Sequence, residues 1–282
     1  MTWELFLIIS VGTEVFGRLL QRVLLKNNTS DPIAYTVVVQ LITGVLVATF
    51  AILQGFSIPD LTTIWPHLLI MPLLWGAANL FIYKSLKSTE ASIFVVLLST
   101  RALWQIIGAV FFLNEVFTLQ QIMGTFFILG SVVLVSMQGA KLSFKKGEIL
   151  ALLAAIFFAA AMINDAFIVK IFDVESYLTF GFFLPALLIW AIHPQKTREI
   201  VRIATSSNLW KMVLLATLFG ASAVTALLAY TAGNNAAQLG ALFQMSTIIT
   251  VFAAIFLLNE RKSLVFKIIA GVISCIGVIL II

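Results

Sequence analysis

Ten apolar runs, each close to the ~20 residues that cross ~30 Å of hydrocarbon as a helix, leave this chain few folds to choose from. They lie at roughly 3–25, 33–54, 65–86, 90–113, 119–138, 148–170, 176–193, 209–231, 236–258 and 264–282. Short polar punctuation separates them: "NNTSDP", "SIPD", "KSTE", "KLSFKKGE", "HPQKTRE", "AGNN" and "NERKS". In lipid every backbone N–H and C=O must be satisfied within the segment, and an open sheet cannot do this, so the runs are predicted to be helices. Only 10% of the 282 residues are charged and the mean hydropathy is +1.11. A soluble domain carries about 25% charged residues. The fold class expected is an all-α membrane protein of ten transmembrane helices.

The 17 Lys and Arg are distributed unevenly. Arg18 and Arg101 fall inside runs and Lys170 lies beside an even-numbered connection; the other basic residues sit in or beside odd-numbered connections. The positive-inside rule then puts the odd connections in the cytoplasm and both termini outside. It also explains the net charge of +5 and pI of 9.4 without a nucleic-acid partner. The stretch from Trp3 lacks a small-residue cleavage site and reads as a first span rather than a removable signal. No polar tail predicts a soluble domain at either end. Cys275, the sole cysteine, excludes an internal disulfide.

The chain repeats itself. Phe112, Leu113, Asn114 and Glu115 align with Leu257, Leu258, Asn259 and Glu260, 145 residues later. The match extends back through "TEASIFVVLLSTRALWQIIGAVFFLNE" and "NAAQLGALFQMSTIITVFAAIFLLNE". Each copy is followed by a helix with glycines six apart, Gly124/Gly130 and Gly271/Gly277. Residues 1–140 and 141–282 therefore read as two five-helix repeats forming one transport domain. Five is odd, so the second repeat enters the membrane inverted. Inverted repeats are characteristic of transporters that bind substrate near the midplane. The Asn-Glu pairs themselves read as turn chemistry: Asn tolerates the left-handed conformation after a helix, and Glu suits the next helix N-terminus.

Ten helices arranged as five plus five, with Glu115 and Glu260 closing the fourth and ninth, resemble the drug/metabolite transporter (DMT) superfamily in its EamA-like branch. The resemblance covers essentially the whole chain. It implies export or exchange of small metabolites such as amino acids, often proton-linked, with both termini in the cytoplasm, opposite to the orientation the loop charges predict. The first helix, "TEVFGRLLQR", also resembles small multidrug resistance proteins, where a mid-membrane Glu is shared between protons and cationic drugs. Glu14 falls on that position; Arg18, one turn on, departs from the pattern.

A charged side chain mid-membrane costs roughly 2.5–3.5 kcal/mol on insertion scales and calls for a partner or a wet cavity. Ser10, Glu14, Gly17, Arg18 and Gln21 share one face of the first helix at helical spacing. Glu14 is read as a proton-coupling carboxylate or as half of an ion pair locking that helix. Phe94, Leu97, Arg101, Gln105 and Gly108 form a stripe on the fourth helix. Arg101 offers a donor fork to a carboxylate or phosphate, or pairs internally with Glu14. Arg18 and Gln105 are further substrate-binding candidates, and Trp104 either stacks on a ligand or packs. Asn79 and Tyr83, a turn apart beyond Trp75, line a cavity or bond between helices. Gln244, in the matching stretch of the ninth helix, is neutral, so the two halves face a substrate differently. Asp165, beside Asn164, is a second proton-coupling candidate or an interfacial residue near Lys170. His67 and His193, at span ends, are expected to be solvated. Gly12, Gly17, Gly44, Gly76, Gly108 and Gly220 are expected to permit close helix packing, and Pro72 and Pro185 to kink their helices.

No phosphate-binding loop, H-E-x-x-H, cysteine cluster or G-x-S-x-G occurs, so neither ATP-driven transport nor an enzyme is expected, with no catalytic residue, metal or cofactor. The reading is a secondary transporter of carboxylate-bearing metabolites in a prokaryotic plasma (inner) membrane, proton-coupled and working by alternating access. The alternative is a cationic-drug exporter using Glu14; a channel and an intramembrane enzyme are further rivals. Partners are a small solute, protons and the lipid bilayer, with monomer and homodimer both open.

Overall fold

The computed structural model describes residues 2–26, 31–113, 118–136, 145–233, 243, 245–259 and 264–281. Its described residues are helical, with no strand. In chain order the helices are α1 (Trp3–Lys26), α2 (Pro32–Gln54), α3 (Trp65–Ser88), α4 (Ala91–Leu98), α5 (Arg101–Leu113), α6 (Leu119–Ser136), α7 (Lys146–Ile168) and α8 (Val174–Ile192). A 3₁₀ turn (Pro194–Lys196) leads into α9 (Thr197–Ala204), followed by α10 (Leu209–Gly233), α11 (Met245–Leu257) and α12 (Leu264–Ile281). Counting α4 and α5 as one, six of the described helices are long and apolar enough to cross a membrane. Large apolar side chains such as Ile8, Phe16, Leu53, Phe111 and Trp210 face outward, as a lipid-facing surface requires. The molecule is a multi-pass membrane protein.

Two elements depart from the expected runs. The fourth run, expected to be continuous from 90 to 113, is interrupted at Ser99–Thr100. Ser99 Oγ donates to the Val96 carbonyl at 2.6 Å and Thr100 Oγ1 to that of Leu97 at 2.8 Å. The backbone tightens with them: Thr100 N donates to Leu97 O, and Leu103 N to Thr100 O. These are 3₁₀-type bonds, which short hydroxyl side chains promote by competing for helix carbonyls. The second departure is α9, inside a stretch expected to be only a connection. Ile200 and Ile203, three apart, are buried while Arg198, Val201 and Arg202 face out, so one apolar face holds this short helix against α2.

Helix ends follow local chemistry. Asp31 caps α2 by accepting from Ile33 N at 2.8 Å, with Pro32 at the first helical position. Gly55 ends α2 with φ 102°. Asn259, after α11, has φ 54° and is the one described non-glycine residue with positive φ, as the turn reading expected. Asn114, Glu115 and Glu260 lie outside the described residues.

The most extensive packing pairs are α3 with α7, α6 with α12, α1 with α10 and α2 with α8; α4 also packs on α11. Small residues set the closest approaches: a Cβ on Gly17 would lie 2.8 Å from the Phe219 ring, and one on Gly108 would lie 1.9 Å from Ile163 Cδ1. Gly12, expected to pack, has nothing within 4 Å of such a Cβ. Pro72 and Pro185 lie inside uninterrupted helices. One core, around Leu25, Tyr35, Leu86, Phe94, Leu97 and Met212, fills the end where α1 and α3 finish. A second, around Met71, Ile168, Phe172, Tyr177 and Leu227, fills the opposite end.

Polar links join the halves at both ends. At the first end Lys196 Nζ meets Asp31 Oδ2 at 2.7 Å, Lys267 pairs with Glu90, and Ser85 Oγ donates to Gly147 O at 2.7 Å. At the other, Ser57 Oγ donates to Asp173 Oδ1 at 2.6 Å and Ser57 N to Ser176 Oγ at 3.1 Å. Partial burial pushes the Asp31 carboxyl up, but the Lys196 hydrogen bond and the capped backbone N–H outweigh it and hold it below its ordinary 3.8. A carboxyl lowered by folding stabilises above its unfolded pKa and loses that contribution as pH falls through the folded value. Asp31→Asn, which keeps the cap, is expected to melt below the wild type at neutral pH. The difference should close on acidification through the acid range below 3.8; a difference independent of pH would assign the effect to the cap.

Candidate functional site

Between the two cores lies a cavity of about 150 Å³. Its polar wall is Glu14 from α1, Trp75 and Asn79 from α3, Arg101 and Gln105 from α5, and Asp165 from α7. Phe158, Phe182, Phe219, Tyr230 and Phe243 add aromatic rings to its lining, from α7, α8, α10 and the segment before α11. The α4–α5 turn matters here, because it starts α5 at Arg101 in mid-run and brings that side chain to the wall.

Arg101 is 5% exposed. Its guanidinium lies 4.5 Å from the Phe158 ring centroid and 5.8 Å from that of Phe243, a cation–π setting. It makes no ion pair or hydrogen bond among the described residues; the charges acting on it are Glu14 and Arg18. Glu14 is held by Arg18, whose Nε donates to Oε1 at 2.8 Å, and Arg18 Nη1 donates to Gln21 Oε1 at 3.0 Å. Of the two pairings open to Glu14, the structure forms the one within α1, in the favourable i,i+4 order.

Asp165 is 1% exposed and faces the cavity, not the interface. Trp75 Nε1 donates to both its oxygens, at 3.1 and 3.0 Å, and the Tyr177 hydroxyl donates to Oδ1. Among the described residues no cation pairs with it. Lys170 turns instead onto the Phe167 ring, 5.4 Å away. Asn164 is spent on His67: Nδ2 donates to the His67 carbonyl at 3.0 Å, and His67 Nδ1 lies 2.8 Å from Asn164 Oδ1. His67, expected to be solvated, is therefore tied to α7 and stacked on Phe167 at 4.8 Å.

The remaining candidates divide. Asn79 and Gln105 are on the cavity wall, with Asn79 Nδ2 also donating to Trp75 O at 2.9 Å. Tyr83, one turn farther along α3, is 2% exposed in the first core beside Gln21 and does not reach the cavity. Trp104 is 41% exposed on the outer side of α5. Ser10, on the face it shares with Glu14, is buried and donates to Ser222 O at 2.7 Å, tying α1 to α10. Gln244 lies outside the described residues. Sequence reasoning missed Tyr177 and the aromatic wall; among 24 Phe in the chain, nothing in the pattern singles out the ones that face inward.

Residues 1–137 match the profile of the EamA-like transporter family. No curated protein matches the chain in sequence. A solved crystal structure is similar at TM-score 0.70 and 14% identity, over 98% of this chain and 94% of that one, a likeness of fold. Over residues 1–137 the chain is similar to the EamA-like transporter family of the drug/metabolite transporter superfamily, whose members are membrane proteins that carry small solutes.

Proposed function

We propose that this protein is a proton-coupled secondary exporter of small carboxylate-bearing solutes, amino-acid-like in size. Arg101 carries this reading: a buried guanidinium on the cavity wall, backed by aromatic rings, without an ion pair among the described residues. A planar fork in that setting suits a carboxylate. Asn79 and Gln105 would orient the rest of the solute, and Asp165 would take the coupling proton. The cationic-drug reading needs a Glu14 free of competition from cations, and Glu14 is held by Arg18 at 2.8 Å.

The transport cycle in this reading is alternating access between two inverted repeats, 1–140 and 141–282, of five spans each, α4 and α5 counting as one and α11 belonging to the ninth. The packing supports it. Exchanging each span for the one five places on maps the α1–α10 contact onto α7–α3, and α2–α10 onto α8–α3. The contacts α2–α8, α6–α12 and α4–α11 map onto themselves. The family match also ends near the proposed boundary, at residue 137. Rocking would break one set of end links and keep the other. The basic residues of the α8–α10 connection, Lys196, Arg198 and Arg202, favour placing the end that holds the Asp31–Lys196 pair in the cytoplasm of a prokaryotic cell, with both termini outside.

The test is ligand-induced stabilisation of the purified chain in detergent, with amino acids, organic acids, nucleotide sugars and hydrophobic cations. A ligand at a hundredfold its Kd adds about 2.7 kcal/mol, an easily measured rise in Tm. Shifts from carboxylate-bearing ligands alone are expected. Shifts from cations alone, growing with pH, would replace this reading with the drug exporter.

A further inference from the structure

A second, smaller chamber lies on the far side of the Glu14–Arg101 wall. It holds about 10 Å³ and is bounded by Glu14 and Arg18 of α1, Ser99 and Arg101 at the α4–α5 turn, and Ser246 and Thr250 of α11. That volume suits one water-sized body. All six residues are at most 8% exposed.

The charge of this chamber is unbalanced. Two guanidiniums face one carboxylate, and Arg18 already holds that carboxylate through Nε while Nη1 is spent on Gln21. Arg101 lies over two aromatic rings and makes no ion pair or hydrogen bond among the described residues. Water would fill the volume and leave the excess positive charge in the membrane interior, where it is expensive. A small anion would fill it and balance the charge.

Thr250 gives an independent pointer. Threonines inside other helices, Thr13, Thr43 and Thr225, donate to the carbonyl four residues back, at 2.8, 2.8 and 2.6 Å. Thr250, 1% exposed on the chamber wall, makes no hydrogen bond among the described residues. Its hydroxyl has no hydrogen-bond partner among the described residues, in a place where such groups are normally satisfied.

We propose that this chamber binds a monovalent anion of halide size, held by the Arg101 and Arg18 guanidiniums and the Thr250 hydroxyl, as the resting counter-ion of Arg101. Arg101 borders both the chamber and the main cavity. A halide on one side and a solute carboxylate on the other therefore compete for the same guanidinium, and halide raises the apparent Kd for the solute.

The experiment is thermal unfolding of the full chain in detergent at constant ionic strength, with gluconate exchanged stepwise for chloride or bromide. Tm should rise saturably with either halide and stay flat when sulfate replaces gluconate. In Thr250→Val, of nearly equal volume, the half-saturating halide concentration should rise at least about tenfold, the loss of one good hydrogen bond to a charged group. Thr250→Ser should restore it, and carboxylate-induced shifts should persist in both variants. Equal Tm in all four anions, or a rise in sulfate as large as in halide, would overturn the proposal and leave the chamber to water. A halide response without any carboxylate response would sink the substrate reading and keep this one; the reverse would do the opposite.

Discussion

Replacing Arg101 by Gln is expected to cut stabilisation by carboxylate-bearing ligands to about half or less at concentrations a hundredfold above the wild-type Kd. A hydrogen bond to a charged group contributes about 1.5–3 kcal/mol, so losing it weakens binding by roughly 10- to 150-fold. The figure holds for a guanidinium whose free state is not already satisfied by the protein. Arg101 meets that condition among the described residues, having Phe158 and Phe243 beside it and no carboxylate bonded to it. Gln fills part of the same volume and keeps a donor, so the fold is expected to survive. Arg101→Lys separates two causes. It keeps the charge and loses the planar fork, so partial recovery assigns the effect to charge and no recovery assigns it to bidentate geometry. Unchanged ligand response in both variants would remove Arg101 from the site and leave the carboxylate preference without a physical basis.

The sequence carried the fold because lipid permits so few alternatives. Runs of about 20 apolar residues with short polar joints can hardly be anything but helices, and nine of the ten predicted runs coincide with described helices to within about two residues at their starts. The start of the ninth, expected at 236, lies outside the described residues; its described helix runs from Met245. The break at Ser99–Thr100 was less legible, because serine and threonine sit inside continuous helices as often as they tighten one. The α9 helix was masked by its polar residues: Ile200 and Ile203 are too few to register as a periodic stripe. Within the site, spacing placed Glu14, Asn79, Arg101 and Gln105 on shared faces, and all four meet one cavity. Spacing alone could not say where along its helix the cavity ends. Tyr83 keeps the stripe of Asn79 but lies a turn beyond, inside the first core. Partner choice was also out of reach. Asp165 has Lys170 five residues away in sequence, yet its donors are Trp75 and Tyr177, on two other helices.

Asp165→Asn is expected to uncouple transport from the proton gradient while leaving exchange intact. Two buried carboxyls face the cavity, and their surroundings differ. Glu14 is bonded to Arg18, so carrying a proton there means breaking that ion pair. Asp165 has the indole N–H of Trp75 and the phenol of Tyr177 and no cation among the described residues, so taking a proton there breaks no ion pair. Asn is close in size and still offers Oδ1 to those donors, so packing around α3, α7 and α8 should hold. In proteoliposomes, uptake driven by an imposed pH gradient should fall to the level of protein-free vesicles. Counterflow, with the solute at equal concentration on both sides and no gradient, should continue, because it needs the site and the rocking motion but no proton. Glu14→Gln is the counterpart. If it loses gradient-driven uptake while Asp165→Asn keeps it, the coupling carboxyl is Glu14 and the Glu14–Arg18 pair must open during each cycle. If both lose it, the proton is passed between the two carboxyls across the cavity. A variant that loses counterflow as well would place Asp165 in solute binding, where its charge would meet an ammonium.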